Sequence, residues 1–243
     1  MKFAKLVITI TLFVFLCTPV SATYFGGYYG TDWGNTKPPV TAFINTVSGY
    51  SGHTTGGPTA ANMSNWDCYN NSNPSGIDWW DFVFSCEHGN PWKFWVNDGV
   101  VDLDSAGFGD CAAGSWGDYY ANWVVLYSCQ VVCSPIEKGA SGWDDVWIDR
   151  DPVAVFDGLH ILNGFRTNAY VSPAVNVSTQ YAHAICTGGE ILEEWFNCVW
   201  NYSYCSSTSM DKACSVFYVS CENDTLTSYA ADPSSGTFNC WYY

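Results

Sequence analysis

Residues 79–89 read WWDFVFSCEHG, and this stretch contains the first of two apolar runs that decide the fold. The run itself, Trp79 to Cys86, is short, nearly continuous and rich in aromatic and β-forming residues. Such a run is typical of a strand that is buried on both faces of a sheet. A second run, Trp123 to Tyr127, has the same character and ends in Ser128-Cys129. Both runs therefore predict buried strands, one followed by His88 and the other by Cys129.

Further strands and helices are predicted on both sides of these runs. Strands are expected over residues 23–32, over 153–156 leading into 157–162, and over 215–219. Helices are expected over 37–49 and 190–200, where apolar residues recur at helical spacing. Continuous apolar strands separated by long connections predict an α/β fold with a mainly parallel sheet covered by helices. No repeat or linker divides the chain after residue 22, so residues 23–243 are expected to form a single domain.

The two strand ends carry the residues for nucleophilic catalysis. Ligands of parallel sheets bind beyond the carboxyl ends of the strands, which is where His88 and Cys129 are expected. Neighbouring strands lie about 4.8 Å apart, so side chains at their ends can meet. A cysteine thiolate attacks a carbonyl carbon while a histidine accepts and returns a proton. Gly89 permits close approach of the backbone, and its N–H is a candidate oxyanion donor.

These strand ends resemble those of the caspase, legumain and gingipain superfamily of cysteine peptidases (clan CD). The matching residues are 82–89 (FVFSCEHG) and 124–129 (VVLYSC), and 156–165 (FDGLHILNGF) resembles the segment that follows the cysteine strand in poorly characterised secreted caspase-like proteins. The resemblance implies a three-layer α/β/α sandwich. It also implies His88 as the base, Cys129 as the nucleophile, and the N–H groups of Gly89 and Cys129 as an oxyanion hole. The implied activity is hydrolysis of peptide bonds through a thioester at Cys129.

Further residues are predicted around this site. Trp92 and Trp95 follow His88 closely and are candidates for a substrate wall. In clan CD the loop after the nucleophile commonly shapes the specificity pocket, and here that loop contains Trp143, Asp144 and Asp145. An acidic pocket would prefer an Arg or Lys side chain of the substrate through charge pairing. His160, between two apolar residues, is predicted to be a core or second-shell histidine.

The cysteines predict an oxidising compartment but leave two questions open. Twelve cysteines are present, and six of them lie in the last quarter, where a disulfide-rich C-terminal region is predicted over about 186–243. The odd number after residue 22 leaves at least one thiol, which is either reactive or a link between chains. Cys129 itself has two alternative partners that would silence it, Cys133 and Cys86.

The N-terminus and the net charge predict where the protein acts and what it binds. Residues 1–22 have a basic start, an apolar run and a small-residue cleavage site, as in a secretory signal peptide. The mature chain is then expected to be extracellular, not membrane-spanning, and glycosylated at five Asn-x-Ser/Thr sites. Eight basic residues against 23 acidic ones give a formal charge of −15, which speaks against nucleic acid as a partner.

No cofactor and no zinc site are predicted, because no cysteine or histidine spacing matches a known zinc motif. Calcium binding is a second interpretation of four acids between the motif strands, which are Asp98, Asp102, Asp104 and Asp110. The rival to a peptidase is a catalytically inactive surface protein whose aromatic side chains bind glycan or another surface component. A third interpretation is an assembly subunit in which the odd cysteine links two chains.

Overall fold

The computed structural model describes residues 22–30, 33–55, 61–64, 67–68, 76–103, 116–117, 119–133, 156, 158–233 and 236–242. Its main sheet has eight strands, and a separate small sheet has three. In chain order the strands are β1 (Thr23–Tyr29), β2 (His53–Thr54), β3 (Ala61–Asn62), β4 (Phe82–Cys86), β5 (Gly89–Asn90), β6 (Lys93–Val96), β7 (Gly99–Asp102), β8 (Trp123–Tyr127), β9 (Ile161–Phe165), β10 (Ala213–Tyr218) and β11 (Phe238–Tyr242).

The main sheet is largely parallel, as the apolar runs predict. Its strand order is β11-β10-β9-β8-β4-β1, with β2 and β3 both pairing with the outer side of β1. The pairs that join β2, β3, β1, β4, β8 and β9 are all parallel. β10 pairs antiparallel with β9, and β11 pairs antiparallel with β10 as the outermost strand. β5, β6 and β7 form the small antiparallel sheet directly after β4.

Three helices cover one face of the main sheet: α1 (Trp33–Val47), α2 (Ala174–Cys186) and α3 (Ile191–Tyr202). α1 packs on β1 and β4, α3 packs on β9 and β10, and α2 lies between α1 and α3. Alternate strand residues face these helices, so the ring of Phe43 stacks on that of Phe84 with centroids 4.6 Å apart. Gly27 leaves space for the same helix, because a methyl group there would lie 2.7 Å from Ile44.

The other face of the sheet is also buried, which explains why the strand sequences do not alternate with polar residues. Val83, Val124 and Leu162 point to this face and have no exposed surface. Non-helical segments pack there, including Trp80 against Gly26 and Val132 against Gly164. Within the described ranges all three helices lie on the first face, so the second helical layer of a sandwich stays a prediction.

Most predicted elements are confirmed, and two are corrected. β4, β8 and β10 fall on the predicted apolar runs, and α3 begins one residue after the predicted start. The strand beside β8 is β9, at 161–165, rather than 153–156; of that range only Phe156 is described, and it makes a single bridge to Trp116. α1 begins at Trp33 instead of Lys37, so Pro38 and Pro39 lie inside the helix and remove two amide donors.

The part of the chain that the structure describes contains no disulfide bond. Ten cysteines lie there, so the predicted disulfides of the C-terminal region are not observed. Cys214 and Cys240, on neighbouring strands, bring their Sγ atoms to 3.4 Å. A disulfide bond requires about 2.05 Å. None of the helices among the described residues is long and apolar enough to cross a membrane.

Candidate functional site

His88 and Cys129 lie at the same edge of the sheet, as the sequence predicts. β4 and β8 are adjacent and parallel, and Cys86 pairs with Tyr127 at their carboxyl ends. His88 and Cys129 each follow their paired residue by two positions, so both emerge from the sheet at equivalent points. The side chain of His88 is exposed and that of Cys129 is half-buried. This carboxyl edge is therefore open to a substrate at both residues.

Cys129 is held by a neighbouring loop and is not cross-linked. The backbone N–H of Ala169 donates to its Sγ over 3.3 Å, which fixes the position of the sulfur. In this structure no disulfide joins Cys129 to Cys133 or to Cys86, the two alternative partners. Burial raises the pKa of the Cys86 thiol well above its ordinary value, with Glu87 and Cys129 adding to the effect. Of the described thiols at this edge, Cys129 is the one that solvent reaches.

Gly89 lies against the backbone of Cys129. A methyl group on Gly89 would lie 2.9 Å from the amide nitrogen of Cys129 and would contact its carbonyl oxygen. Gly89 pairs with Phe94, and the flanking bond runs from the Trp95 N–H to the His88 carbonyl over 2.9 Å. In this pattern the Gly89 N–H points away from β6 and is available to another acceptor.

The loops at this edge are held in strained conformations. Trp92, Gln130 and Asp211 are the described non-glycine residues with positive φ, at 60°, 55° and 53°. Gln130 follows Cys129 directly, and its N–H donates to the carbonyl of Thr167 over 2.9 Å. Such backbone conformations cluster at functional sites because the surrounding structure must hold them.

Asp211 is a positioning residue that the sequence analysis missed. Its buried carboxylate accepts hydrogen bonds from the N–H groups of Tyr170 (2.6 Å) and Tyr204 (3.1 Å). Its own N–H donates to the carbonyl of Asn168 over 2.9 Å. Asp211 thereby orders the loop whose Ala169 N–H contacts Cys129. In the sequence, Asp211 is recognisable only as an acid two residues before an apolar strand. This pattern is too common to predict a role.

Glu87 is a second feature of this edge that sequence reasoning left without a role. Its side chain is 4% exposed, and neither carboxylate oxygen has a hydrogen-bond partner. Burial raises the pKa of Glu87 to about 8, and the nearby Ser85 hydroxyl offsets only part of the rise. Glu87 is therefore largely protonated at neutral pH, directly beside His88 in the chain.

Two of the five predicted substrate-binding residues, Trp92 and Trp95, lie within the described part of the chain. Trp92 is 2% exposed and its indole N–H donates to the carbonyl of Cys133 over 2.8 Å, so this ring contacts protein and does not fit the role of a substrate wall. Trp95 is half-buried on β6. Trp143, Asp144 and Asp145 lie outside the described residues. Of the four acids considered for calcium, Asp98 lies in the β6–β7 turn, Asp102 ends β7, and Asp104 and Asp110 lie outside.

His160 is buried in the core, one of its two predicted places, and it lies at the opposite edge of the sheet from Cys129. It directly precedes β9, and its N–H donates to the carbonyl of Asn122, before the start of β8. The whole length of β8, about 13 Å, separates this amino edge from the carboxyl edge. His160 is fully buried, and its Nδ1 lies 2.6 Å from Asp224 Oδ2.

Asp224 and Cys221 complete a buried cluster with His160 at the amino edge. One ligand atom from each of the three residues lies within 4.8 Å of the others. Burial lowers the pKa of His160, but the hydrogen bonds to Asp224 and Cys221 outweigh it and raise the pKa to about 9. No local sequence pattern indicates this cluster, because His160 lies more than 60 residues before its partners and only Cys221-x-x-Asp224 is local.

A cleft lined by aromatic residues lies close to this cluster. It encloses about 450 Å³ and is lined by Tyr24, Trp79, Trp80, Asp81 and Tyr120. Asp81 accepts a hydrogen bond from the N–H of Tyr24 over 2.7 Å. Burial raises the pKa of Asp81. The hydrogen bond from Tyr24 offsets part of this rise, and the negative charge of Asp232 adds a smaller increase. The cleft thus combines exposed aromatic faces with one carboxylate.

The fold and the strand-end site define an α/β protein with a histidine and a cysteine at the carboxyl edge of a largely parallel sheet. The family model described as "Domain of unknown function (DUF6345)" matches residues 66–227, and the chain belongs to this family. No curated protein matches the chain. Among solved structures it is similar to the crystal structure of caspase-1 from Spodoptera frugiperda, with 10% identity and a TM-score of 0.37 over 74% of this chain and 78% of that one.

Proposed function

We propose that this protein is a secreted cysteine peptidase with Cys129 as the nucleophile and His88 as the general acid and base. One observation carries the proposal: the two residues follow adjacent parallel strands at equivalent positions, with Gly89 packed against the Cys129 backbone. A half-buried thiol, an exposed imidazole and a free backbone N–H form the minimal set for acyl transfer. The secretory signal at residues 1–22 supports an extracellular site of action.

The reaction follows from this placement. The Cys129 sulfur attacks the carbonyl carbon of the peptide bond, and His88 takes the thiol proton. The N–H groups of Gly89 and Cys129 stabilise the oxyanion, and His88 then delivers the proton to the departing amine. Water attacks the resulting thioester while His88 accepts a proton from the water. The acid product leaves, and His88 returns this proton to the Cys129 sulfur.

The proposed specificity rests on the sequence of the loop after the cysteine strand. Asp144 and Asp145 follow Trp143 in that loop, and two carboxylates favour a cationic side chain. We therefore expect cleavage after Arg or Lys. A change of both aspartates to Asn should lower kcat/KM for substrates with basic residues more than for those with neutral residues.

The thiol provides the first test. The intact protein, without reductant, is treated with an iodoacetamide reagent at about pH 6.5, and the labelled cysteines are mapped by mass spectrometry. A thiol that passes its proton to a neighbouring histidine reacts quickly under these conditions, whereas an isolated thiol reacts slowly. We expect fast labelling at Cys129 that is slowed in His88→Ala. The matched control is His183→Ala, which removes another exposed histidine on α2 and should leave the rate unchanged.

Two results would overturn the peptidase proposal. One is a disulfide at Cys129 in the protein isolated from an oxidising compartment. The other is a labelling rate at Cys129 no higher than that of the same cysteine in the unfolded chain. A chain-linking disulfide, seen as a dimer that collapses on reduction, would favour the assembly subunit instead.

The aromatic cleft supports a second candidate function, glycan binding by a catalytically inactive protein. Faces of Trp and Tyr rings pack against the C–H faces of sugars, and a carboxylate binds their hydroxyl groups. Binding to a panel of oligosaccharides should be lost in Trp79→Ala. The control Trp200→Ala removes an exposed tryptophan on α3 and should bind as the unchanged protein does. Binding without thiol reactivity at Cys129 would select this function over the peptidase.

A further inference from the structure

We propose that His160, Cys221 and Asp224 bind one Zn²⁺ ion at the amino edge of the sheet. Their side chains are 0%, 0% and 2% exposed, and one ligand atom from each lies within 4.8 Å of the other two. The three residues come from separate places in the chain: the start of β9, the 3₁₀ turn after β10 (Val219–Cys221), and the turn that follows. The site is independent of the proposed peptidase, from which the length of β8 separates it.

The set of donor atoms selects the ion. A thiolate, an imidazole and a carboxylate are the ligand types that Zn²⁺ combines in proteins, usually with three protein ligands where one position stays open. Mg²⁺ and Ca²⁺ prefer oxygen ligands alone and are poorly matched to the sulfur of Cys221.

Neighbouring groups hold these ligands in place. Asp224 Oδ2 accepts a hydrogen bond from Trp123 Nε1 over 3.1 Å, and its Oδ1 accepts one from the Ala230 N–H over 2.9 Å. The backbone bond from the Asp224 N–H to the Cys221 carbonyl, 3.1 Å long, fixes the spacing of these two ligands. Such outer partners orient metal ligands and commonly determine affinity as much as the ligands do.

His160 is directed by carboxylates on both sides of its ring. Its Nδ1 lies 2.6 Å from Asp224 Oδ2, and its Nε2 lies 3.3 Å from Asp232 Oδ1. A histidine that binds zinc through one nitrogen typically donates its other N–H to a carboxylate, and Asp232 is placed for that role.

Metal binding would replace two protons. Zn²⁺ would take the place of the proton held between His160 and Asp224 and of the proton on Cys221, and both protons pass to solvent. The bound ion would connect the segment after β10 to the amino ends of β8 and β9. We therefore expect the bound ion to stabilise the fold, so that its occupancy raises the thermal midpoint of unfolding.

The full chain provides the test. It is reduced with a phosphine, freed of metal with a chelator, and equilibrated with Zn²⁺ or Co²⁺ alone. We expect one Zn²⁺ per chain by elemental analysis, a higher thermal midpoint, and a thiolate-to-cobalt charge-transfer absorption with Co²⁺. Cys221→Ser should abolish this absorption and lower the Zn²⁺ affinity at least about a hundredfold, since it removes a ligand.

Two further variants separate metal binding from a general loss of folding. Cys198→Ser changes another buried cysteine, on α3, and should keep both the stoichiometry and the cobalt absorption. Asp232→Asn changes an exposed residue, should fold, and should lower the Zn²⁺ affinity about tenfold. Binding of less than about a tenth of an ion per chain, or a cobalt absorption that persists in Cys221→Ser, would overturn the proposal; the cluster would then be a hydrogen-bonded part of the core.

Discussion

The two edges of the main sheet each bring a histidine and a cysteine together, and they do so in opposite ways. At the carboxyl edge, His88 is exposed and Cys129 is half-buried, on loops with strained backbone. At the amino edge, His160 and Cys221 are fully buried and joined by Asp224. The same two residue types therefore serve different purposes: an accessible pair is suited to attack a substrate, whereas an enclosed cluster is suited to hold structure together.

Charge also distinguishes the two edges. The amino edge satisfies its buried carboxylate with His160, the Trp123 indole and a backbone N–H. The carboxyl edge instead buries Glu87 without a hydrogen-bond partner. An unpaired buried carboxyl group is stable only when it keeps its proton, so the open edge is the one whose stability should depend most on pH.

The largest expected effect tests this difference through Glu87→Gln. Glu87 keeps its proton in the folded protein up to about pH 8, whereas the unfolded chain loses it near the ordinary value of 4.5. The folded state thus binds more protons between these values, and the free energy of unfolding falls as pH rises through this window. The full decline attributable to Glu87 is on the order of 5 kcal/mol. Glu87→Gln should remove it, as measured by urea unfolding at a series of pH values.

Glu193→Gln provides the matched control, because Glu193 is an exposed glutamate in the first turn of α3. Because Glu87 is still present in this variant, the decline between about pH 5 and pH 8 should persist. The free energy of unfolding could instead decline equally in Glu87→Gln and in the unchanged protein between about pH 5 and pH 8. Glu87 would then not be a buried, protonated carboxyl group.

The second prediction compares the thiols of the two edges directly. In the folded protein, alkylation of Cys129 should be about a thousandfold faster than that of Cys221. A buried thiol reacts only after local opening, and an opening free energy of about 4 kcal/mol suppresses the reactive population by this factor. Labelling is followed by mass spectrometry over time, with the metal-free protein. In the unfolded chain the two rates should become similar, and equal rates in the folded chain would remove the contrast between the edges.

The sequence predicts an edge well when the residues that form it follow local patterns, and poorly when they are brought together from distant parts of the chain. His88 and Cys129 end two continuous apolar runs, and parallel pairing of such runs brings their ends together without further information. The amino-edge cluster depends on β10 being antiparallel to β9, which places Cys221 and Asp224 near the start of β9. No local pattern contains that orientation. For the same reason, the sequence does not reveal that His160 meets Cys221 and Asp224 at this edge.

The third prediction concerns the stability of the amino edge. Asp224→Ala leaves His160, the Trp123 indole and the Ala230 N–H without their acceptor. Breaking such a buried network should lower the free energy of unfolding by about 3 kcal/mol in metal-free buffer. Asp232→Ala is the control: Asp232 contacts the same histidine but is 68% exposed, so the loss should stay below about 1 kcal/mol. Equal losses in the two variants would contradict the view that enclosure makes this cluster structural.

The smallest expected effect tests the strain beside Cys129. Gln130 has φ of 55°, a conformation that costs most residues about 1–2 kcal/mol and glycine very little. Gln130→Gly should therefore raise the free energy of unfolding, by about 1 kcal/mol or less after the larger entropy of glycine in the unfolded chain is counted. Gln130→Ala keeps the strain and should change stability by less than about 0.5 kcal/mol. Thermal unfolding of the two variants distinguishes these outcomes. A loss of stability in Gln130→Gly would mean that the Gln130 side chain, rather than its backbone, holds the loop; a gain with unchanged alkylation of Cys129 would mean that the surrounding loops alone position the thiol.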